Sequence, residues 1–124
     1  PDILIPVPLY WSRQLRRGFN QSQGIAQILC SRLSGSKIDS HTLRRRGYRR
    51  PQHVQGKRQR LRSMQNAFEV SATHSLEGRT VALVDDVVTT GATASSAAKS
   101  LLAAGVYAVD IWCIARTGWH IDAA

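Results

Sequence analysis

The stretch from Thr80 to Ser95 reads TVALVDDVVTTGATAS and decides the fold of this chain. Its first half is an almost continuous apolar run, which is typical of a strand buried on both faces of a parallel sheet. Two aspartates, Asp85 and Asp86, follow the run, and a threonine-rich turn with one glycine comes next. The small, apolar residues after the turn predict a helix that ends near Gly105, in the left-handed conformation common at helix ends.

A second apolar run, VYAVDIWCIART, extends from Val106 to Thr117 and predicts another strand with apolar residues on both faces. Strand, helix and strand at this spacing form a βαβ unit with a right-handed crossover. The sequence therefore predicts an α/β fold, in which helices flank a parallel sheet.

The residues before this unit predict smaller elements. The run DILIPVPL is expected to form a strand that turns at Pro8. Apolar residues at helical spacing predict a helix from Asn20 to Leu33, and Asn20 is expected to cap that helix rather than to contact a ligand. The segments KIDSHTLRR and NAFEV are weaker strand candidates. Between them, residues 46 to about 63 have little apolar content, and a loop of that length is usually functional or disordered.

The chain has 124 residues, of which 43% are hydrophobic, and this composition suits one domain over residues 1–124. No stretch approaches the ~20 apolar residues of a membrane span, so we expect a soluble, cytoplasmic protein without membrane contact. The chain opens directly in a predicted strand, which indicates a processed, truncated or domain-only chain. Cys30 and Cys113 lack metal-binding spacing and are expected to be buried thiols.

The net charge of +9 is concentrated in one window. No acidic residue lies between Ser40 and Phe68, and the basic residues there are Arg44, Arg45, Arg46, Arg49, Arg50, Lys57, Arg58, Arg60 and Arg62. Such a segment favours polyanions. Charge alone leaves three interpretations open: a solvated basic face, a nucleic-acid surface or a phosphate-binding lid. Tyr48 is the only aromatic residue from 44 to 62, which gives little support to a base-stacking surface.

The turn after the aspartates has the features of a phosphate site. In open parallel sheets, ligands bind beyond the carboxyl ends of the strands, where this turn is expected. The first amides of the following helix lack intrahelical partners and carry the positive end of the helix dipole. Gly91 allows close approach of the backbone to an anion, and neighbouring threonines add hydroxyl donors. Neither GxxxxGK[ST] nor GxGxxG occurs, so this is neither a Walker loop nor a dinucleotide fingerprint.

Two carboxylates beside a phosphate need an explanation, because like charges repel. A ribose ring between them would supply two adjacent hydroxyls as donors. The residues therefore predict a ribose 5-phosphate group, with its hydroxyls on Asp85 and Asp86 and its phosphate on the turn. The alternative is structural, since paired aspartates at a strand end can cap the following turn and helix.

These segments resemble known families. The stretch VALVDDVVTTGAT resembles the motif with which type I phosphoribosyltransferases bind 5-phosphoribosyl 1-pyrophosphate (PRPP). The stretch PVPLYWSRQLRRGFNQSQGIA is similar to the ComF/GntX family, whose members carry a PVPL strand followed by an RGFNQ element. The stretch QHVQGKRQRLRSMQNAF is similar to the same family in its glutamine, arginine and NAF spacing, although Ser63 stands where the family often has asparagine. Together the three matches cover most of the chain.

The resemblance implies a type I phosphoribosyltransferase-like core that binds PRPP and transfers its phosphoribosyl group to a nitrogen acceptor, with release of pyrophosphate. It implies that Mg²⁺ arrives with PRPP and needs no direct protein ligand. It assigns Asp85 and Asp86 to the ribose hydroxyls. It assigns the 5-phosphate to Thr89, Thr90, Gly91, Ala92 and Thr93. For the pyrophosphate it implies Arg17, together with Arg58 or Arg60 from the basic window acting as a lid.

Other readings of the same resemblance stay open. The domain could be a binding module without catalysis, and the window from 44 to 62 could contact nucleic acid weakly, since the ComF family is associated with competence and DNA uptake. The family usually begins with a cysteine-rich, zinc-binding segment, which this chain is expected to lack, and a homodimer is a further expectation. The acceptor is not indicated, and the scattered histidines, His41, His53, His74 and His120, are expected at the surface.

Overall fold

A computed structural model of the chain describes residues 1–9, 20–46, 67–71 and 73–117. Its elements in chain order are β1 (Ile3–Pro6), α1 (Gln21–Arg32), β2 (Lys37–Ile38), β3 (Leu43–Arg45), β4 (Phe68–Val70), a 3₁₀ helix (Thr73–Ser75), β5 (Thr80–Val88), α2 (Ala92–Ala103) and β6 (Ala108–Arg116).

Three parallel pairings join four strands into one sheet in the order β2-β1-β5-β6. The strands β3 and β4 form a separate antiparallel pair. Parallel neighbours need long crossover connections, and α1 and α2 supply them here. The predicted α/β fold, a parallel sheet with flanking helices, is confirmed.

The central strand β5 explains why its sequence is continuously apolar. Ala82 and Val84 face α1 and join a cluster with Leu4 and Ala26. Val81 and Leu83 face the other side. The cluster on that side draws on α2 and the β3-β4 pair, with Ala97, Leu101, Leu43 and Phe68 among its members. Because both faces are covered, the strand has no polar side until it reaches the aspartates, as predicted.

The first helix begins where the sequence predicts, but its buried stripe differs from the expected one. Asn20 is the N-cap, and its side chain accepts a hydrogen bond from the backbone N–H of Ser22. The buried residues of α1 are Ser22 and Ala26, whereas Ile28 is 62% exposed. Small residues at the contact let the helix lie close to the sheet, and one isoleucine of the apolar pattern consequently faces outward.

The segment KIDSHTLRR forms two short strands instead of one. Asp39 separates them, because its Oδ1 accepts hydrogen bonds from the backbone N–H groups of His41 and Thr42, both at 3.0 Å. This is the local bonding by which aspartate makes a turn. Burial raises the pKa of Asp39, but hydrogen bonds from the Thr42 hydroxyl and from the two backbone groups outweigh it, so the pKa is lowered.

The strand β6 is more exposed than its composition suggests. It lies at the end of the described strand order, and Ile114 is 73% exposed. The expectation of two buried thiols is wrong: Cys113 on β6 is exposed, and Cys30 is half-buried with its Sγ donating to the carbonyl of Ser36 at 3.3 Å. Within the part of the chain that the structure describes, no helix has the length and apolarity needed to cross a bilayer.

Candidate functional site

A hollow of about 180 Å³ lies at the carboxyl edge of the parallel sheet. Its wall runs from Val87 at the end of β5, through the threonine-glycine turn, to Ala94 in the first turn of α2. Val7 and Leu9, which follow β1, and Asp85 complete this side. This is the edge at which open parallel sheets bind ligands.

The turn has the backbone conformation that its sequence predicts. Gly91 is the N-cap of α2 with φ of 82° and ψ of 0°, in the left-handed region. Thr90 Oγ1 accepts a hydrogen bond from the N–H of Ala92 at 3.2 Å. The following amides of the first helical turn have no intrahelical acceptor, and the first turn of α2 carries no acidic side chain. The start of α2 can therefore attract an anion that enters the hollow.

Asp85 lies in the hollow and is held by neighbours. Its Oδ1 accepts hydrogen bonds from the N–H of Asp86 at 2.9 Å and from the Ser22 hydroxyl at 3.3 Å. Burial raises the pKa of Asp85, and the hydrogen bond and negative charge of the Asp86 side chain raise it further. The N–H of Asp86 and the Ser22 hydroxyl oppose that rise by stabilising the carboxylate. Asp85 is thus a half-buried acceptor with an unfavourable charge, to which a ligand could add hydrogen-bond donors.

Asp86 is placed differently from its neighbour. It is half-buried, but it is not part of the wall of the hollow. Its Oδ1 accepts a hydrogen bond from the N–H of Val87 at 2.8 Å. Both aspartates therefore bond the backbone of the next residue within β5, and these bonds are not the turn and helix caps of the structural alternative. Only Asp85 combines that local bond with a place in the hollow.

Arg45 also lines the hollow, and the sequence did not single it out. It ends β3, its Nε donates to the carbonyl of Pro8 at 2.9 Å, and its guanidinium lies 5.1 Å from the centre of the Phe68 ring. The signal that could have found it is strand alternation: along β3, Leu43 is buried, Arg44 exposed and Arg45 half-buried. Among the described arginines of the basic window, Arg45 is therefore the one that lines the hollow.

The structure brings most of the predicted phosphoribosyl residues together. Asp85 and the five residues of the turn, Thr89, Thr90, Gly91, Ala92 and Thr93, border one hollow. Arg17, Arg58 and Arg60, the predicted pyrophosphate residues, lie outside the described residues. His41 and His74 are exposed, as predicted, and the other two histidines lie outside the described residues.

A larger hollow, of about 370 Å³, lies at the other end of the sheet. Its lining includes Asp2 and Ile3 at the start of β1, Lys37 at the start of β2 and Arg79 just before β5. Volume alone would select it as the site. Its position at the amino ends of the strands, away from the glycine turn, argues for the smaller hollow.

Several named proteins are similar to this chain. DNA utilization protein YhgH of Escherichia coli (strain K12) is 42% identical over 117 residues, which are 94% of this chain and 50% of that protein. Competence protein F of Haemophilus influenzae is 36% identical over 123 residues, 94% of this chain and 51% of that protein. Competence protein ComFC of Bacillus subtilis is 36% identical over 103 residues, 83% of this chain and 39% of that protein.

The chain spans about half the length of the first two of these relatives. Residues 15–118 match the family described as phosphoribosyl transferase domain, which is most of the chain. The chain therefore belongs to the phosphoribosyl transferase domain family, and its relatives place it with the ComF proteins, as its motifs predicted.

Proposed function

We propose that the hollow binds the ribose 5-phosphate part of PRPP, and that the protein transfers phosphoribosyl to a nitrogen acceptor and releases pyrophosphate. The observation that carries this proposal is the shared hollow. A carboxylate, Asp85, and a helix-start turn suited to phosphate border the same hollow at the carboxyl edge of the sheet.

The phosphate end of the ligand rests on the turn from Thr89 to Thr93. The amides at the start of α2 donate to the phosphate oxygens, and the threonine hydroxyls add donors. A Cβ atom on residue 91 would meet no atom within 4 Å, so the glycine serves the backbone conformation and leaves the anion room to approach.

The ribose end rests on the aspartates. Asp85, in the wall of the hollow, accepts a hydrogen bond from one ribose hydroxyl. Asp86, which is next along the strand but is not part of that wall, remains our proposed acceptor for the other hydroxyl. A charge-assisted bond of this kind contributes more than a neutral one. It also offsets part of the cost of the half-buried charge on Asp85.

The volume of about 180 Å³ fits part of a ligand, because whole ligand pockets typically measure ~300–1,000 Å³. Pyrophosphate and acceptor must therefore extend beyond the hollow. Arg45 lines the hollow and can pair with phosphoryl oxygens there. Arg17, with Arg58 or Arg60, remains our proposal for the far end of the pyrophosphate.

Magnesium would accompany PRPP. Within the described ranges no three His, Cys, Asp or Glu side chains cluster to hold a metal ion. We propose that Mg²⁺ is held mainly by ligand oxygens and by water, as this ion prefers. When bound, it neutralises charge on the departing pyrophosphate.

The proposed reaction forms a bond from the acceptor nitrogen to ribose carbon 1 and breaks the bond from that carbon to pyrophosphate, which leaves with the electron pair. The protein needs no nucleophile of its own. Its residues hold the sugar by both ends, so that carbon 1 is fixed while positive charge develops on the ring.

Calorimetric titration with PRPP and Mg²⁺ tests the proposal. We expect saturable binding in the full-length protein, competition by ribose 5-phosphate, and weaker binding after Asp85→Asn. Undetectable binding at millimolar PRPP would exclude the site. Ribose without phosphate is the matched control, since it lacks the group that the turn should hold.

A second candidate function is a phosphoribosyl-binding module without catalysis, whose basic surface also contacts nucleic acid. The names of the relatives, which refer to DNA utilization and competence, favour it. The exposed side chains of Arg44 and Arg46 fit a surface for polyanions. PRPP binding without pyrophosphate release across a panel of nitrogen acceptors would support this function over transfer.

A further inference from the structure

The start of α1 is bonded to both strands that border the hollow. Asn20 Nδ2 donates to the carbonyl of Val7, just after β1, at 3.2 Å. Asn20 Oδ1 accepts from the N–H of Ser22 at 3.0 Å. The Ser22 hydroxyl in turn donates to Asp85 Oδ1 on β5 at 3.3 Å. These three bonds connect β1, α1 and β5 through polar side chains at one edge of the sheet.

The Ser22 hydroxyl is buried and therefore needs a hydrogen-bond partner. Ser22 is 3% exposed and is the polar member of the buried face of α1, on which Ala26 is 0% exposed. A hydroxyl at such a position is unfavourable unless it is bonded, and alanine would fill the same space without that penalty. Its partner here is the carboxylate that lines the hollow.

We propose that Ser22 and Asn20 are positioning residues, which fix the Asp85 carboxylate for the ligand and tie it to the end of β1. The proposal rests on the proposed function, in which Asp85 accepts a ribose hydroxyl. Asn20 sets the start of α1, and Ser22 then holds Oδ1 of Asp85. The orientation of the carboxylate is thereby fixed before a ligand arrives, which lowers the ordering cost of binding.

The titratable groups around Asp85 determine how its pKa should change when the Ser22 hydroxyl is removed. Asp86 is adjacent on β5, Arg45 from β3 lines the same hollow, and Cys113 is the register partner on β6. In the described parts of β1 and α1, the group that forms a hydrogen bond with the Asp85 carboxylate is the Ser22 hydroxyl. Because that hydroxyl stabilises the carboxylate against burial and Asp86, its loss should raise the pKa of Asp85.

The test compares Ser22→Ala with Ser31→Ala in the full-length protein. Ser31 is the matched control, because it lies on the same helix, is exposed, and its hydroxyl donates to the carbonyl of Ile28 at 2.6 Å and not to Asp85. The first readout is the ¹³C NMR titration of the Asp85 carboxyl without ligand, assigned with Asp85→Asn. We expect its midpoint to move to higher pH in Ser22→Ala and to stay in place in Ser31→Ala.

The second readout is affinity for ribose 5-phosphate at pH 7. Loss of one bond to the carboxylate should weaken binding about 3- to 10-fold, the effect of one net hydrogen bond. Ser22→Thr, which keeps the hydroxyl, should retain most of the wild-type affinity for ribose 5-phosphate. In the Asp85→Asn background, Ser22→Ala should cause little further loss, because the two residues act through one contact.

An unchanged Asp85 midpoint in Ser22→Ala would overturn the proposal, whatever the ligand does. A shifted Asp85 midpoint with unchanged affinity for ribose 5-phosphate would also overturn the proposal, because the Ser22–Asp85 bond would then have only a structural role. If the wild-type protein binds neither ribose 5-phosphate nor PRPP, the proposed function fails together with the role in binding. The ligand-free titration then still decides whether Ser22 controls the carboxylate.

Discussion

The Ser22 hydroxyl lies 3.3 Å from Asp85 Oδ1, although the two residues are 63 positions apart in the chain. The contact joins two of the three segments by which the sequence resembles its family, since Ser22 directly follows the RGFNQ element and Asp85 is the first of the paired aspartates. Neither segment predicts the contact alone, since it depends on how α1 packs over β5. The site is therefore built by the fold as much as by its motifs.

Asp85→Asn should separate binding from stability. The amide keeps the shape but loses the charge, so affinity for ribose 5-phosphate should fall roughly 10- to 100-fold, as for a bond to a charged group. The free energy of unfolding at neutral pH should rise, because the half-buried charge is removed. Calorimetry and urea unfolding measure the two effects. Equal affinity in the variant would contradict the assigned role.

The same carboxylate predicts a pH dependence of stability, with a definite sign. Its pKa in the folded protein lies above the ordinary aspartate value of 3.8. Its contribution to stability is therefore complete below 3.8 and is lost as the pH rises through the folded pKa. Relative to Asp85→Asn, the wild-type protein should lose stability between acid and neutral pH. Urea unfolding across that range, on both proteins, gives the difference.

Asp39 should behave in the opposite way and serves as the contrast. Hydrogen bonds lower its pKa despite burial, so its contribution is present above 3.8 and is lost as the pH falls through its folded pKa. Asp39→Asn should destabilise the protein at neutral pH and have little effect in acid. If both variants changed stability in the same direction at neutral pH, the assigned causes would be wrong.

Gly91→Ala tests the turn. Alanine would meet no atom within 4 Å, but φ at this position is +82°, which costs a residue with a side chain about 1–2 kcal/mol. We expect a loss of stability near that size and weaker phosphate binding, because the turn relaxes away from its left-handed conformation. Thermal unfolding and ribose 5-phosphate titration measure both. Gly24→Ala, inside α1 with equal space around it, should instead stabilise by about 0.5–1 kcal/mol.

What could be predicted from the sequence was mostly local. The run before Asp85, the left-handed Gly91 and the cap at Asn20 each follow from neighbouring residues, and the structure has all three. Arg45 at the hollow could not be separated from the other arginines, because charge is uniform across that window while burial is not. The exposure of Cys113 depends on which strands flank β6, and composition carries no such information.

Arg45 and Arg44 are adjacent in sequence and provide the sharpest test between a sugar-phosphate site and a polyanion surface. Arg45 lines the hollow, whereas Arg44 is exposed and its Nε donates to the carbonyl of His41 at 3.1 Å. Arg45→Gln should weaken PRPP binding roughly 10-fold or more, by removal of a charge-assisted contact. Arg44→Gln should leave that binding within about 2-fold, as expected for an exposed charge.

Binding of single-stranded DNA completes this comparison, because a polyanion responds to the basic surface as a whole. If the surface contacts nucleic acid, Arg44→Gln should weaken DNA retention and reduce its salt dependence, since each phosphate contact releases counterions. Arg45→Gln should have the smaller effect on DNA, because its guanidinium is held by the Pro8 carbonyl and lies over the Phe68 ring. Equal effects of both variants on both ligands would mean that charge alone, and not the hollow, governs binding.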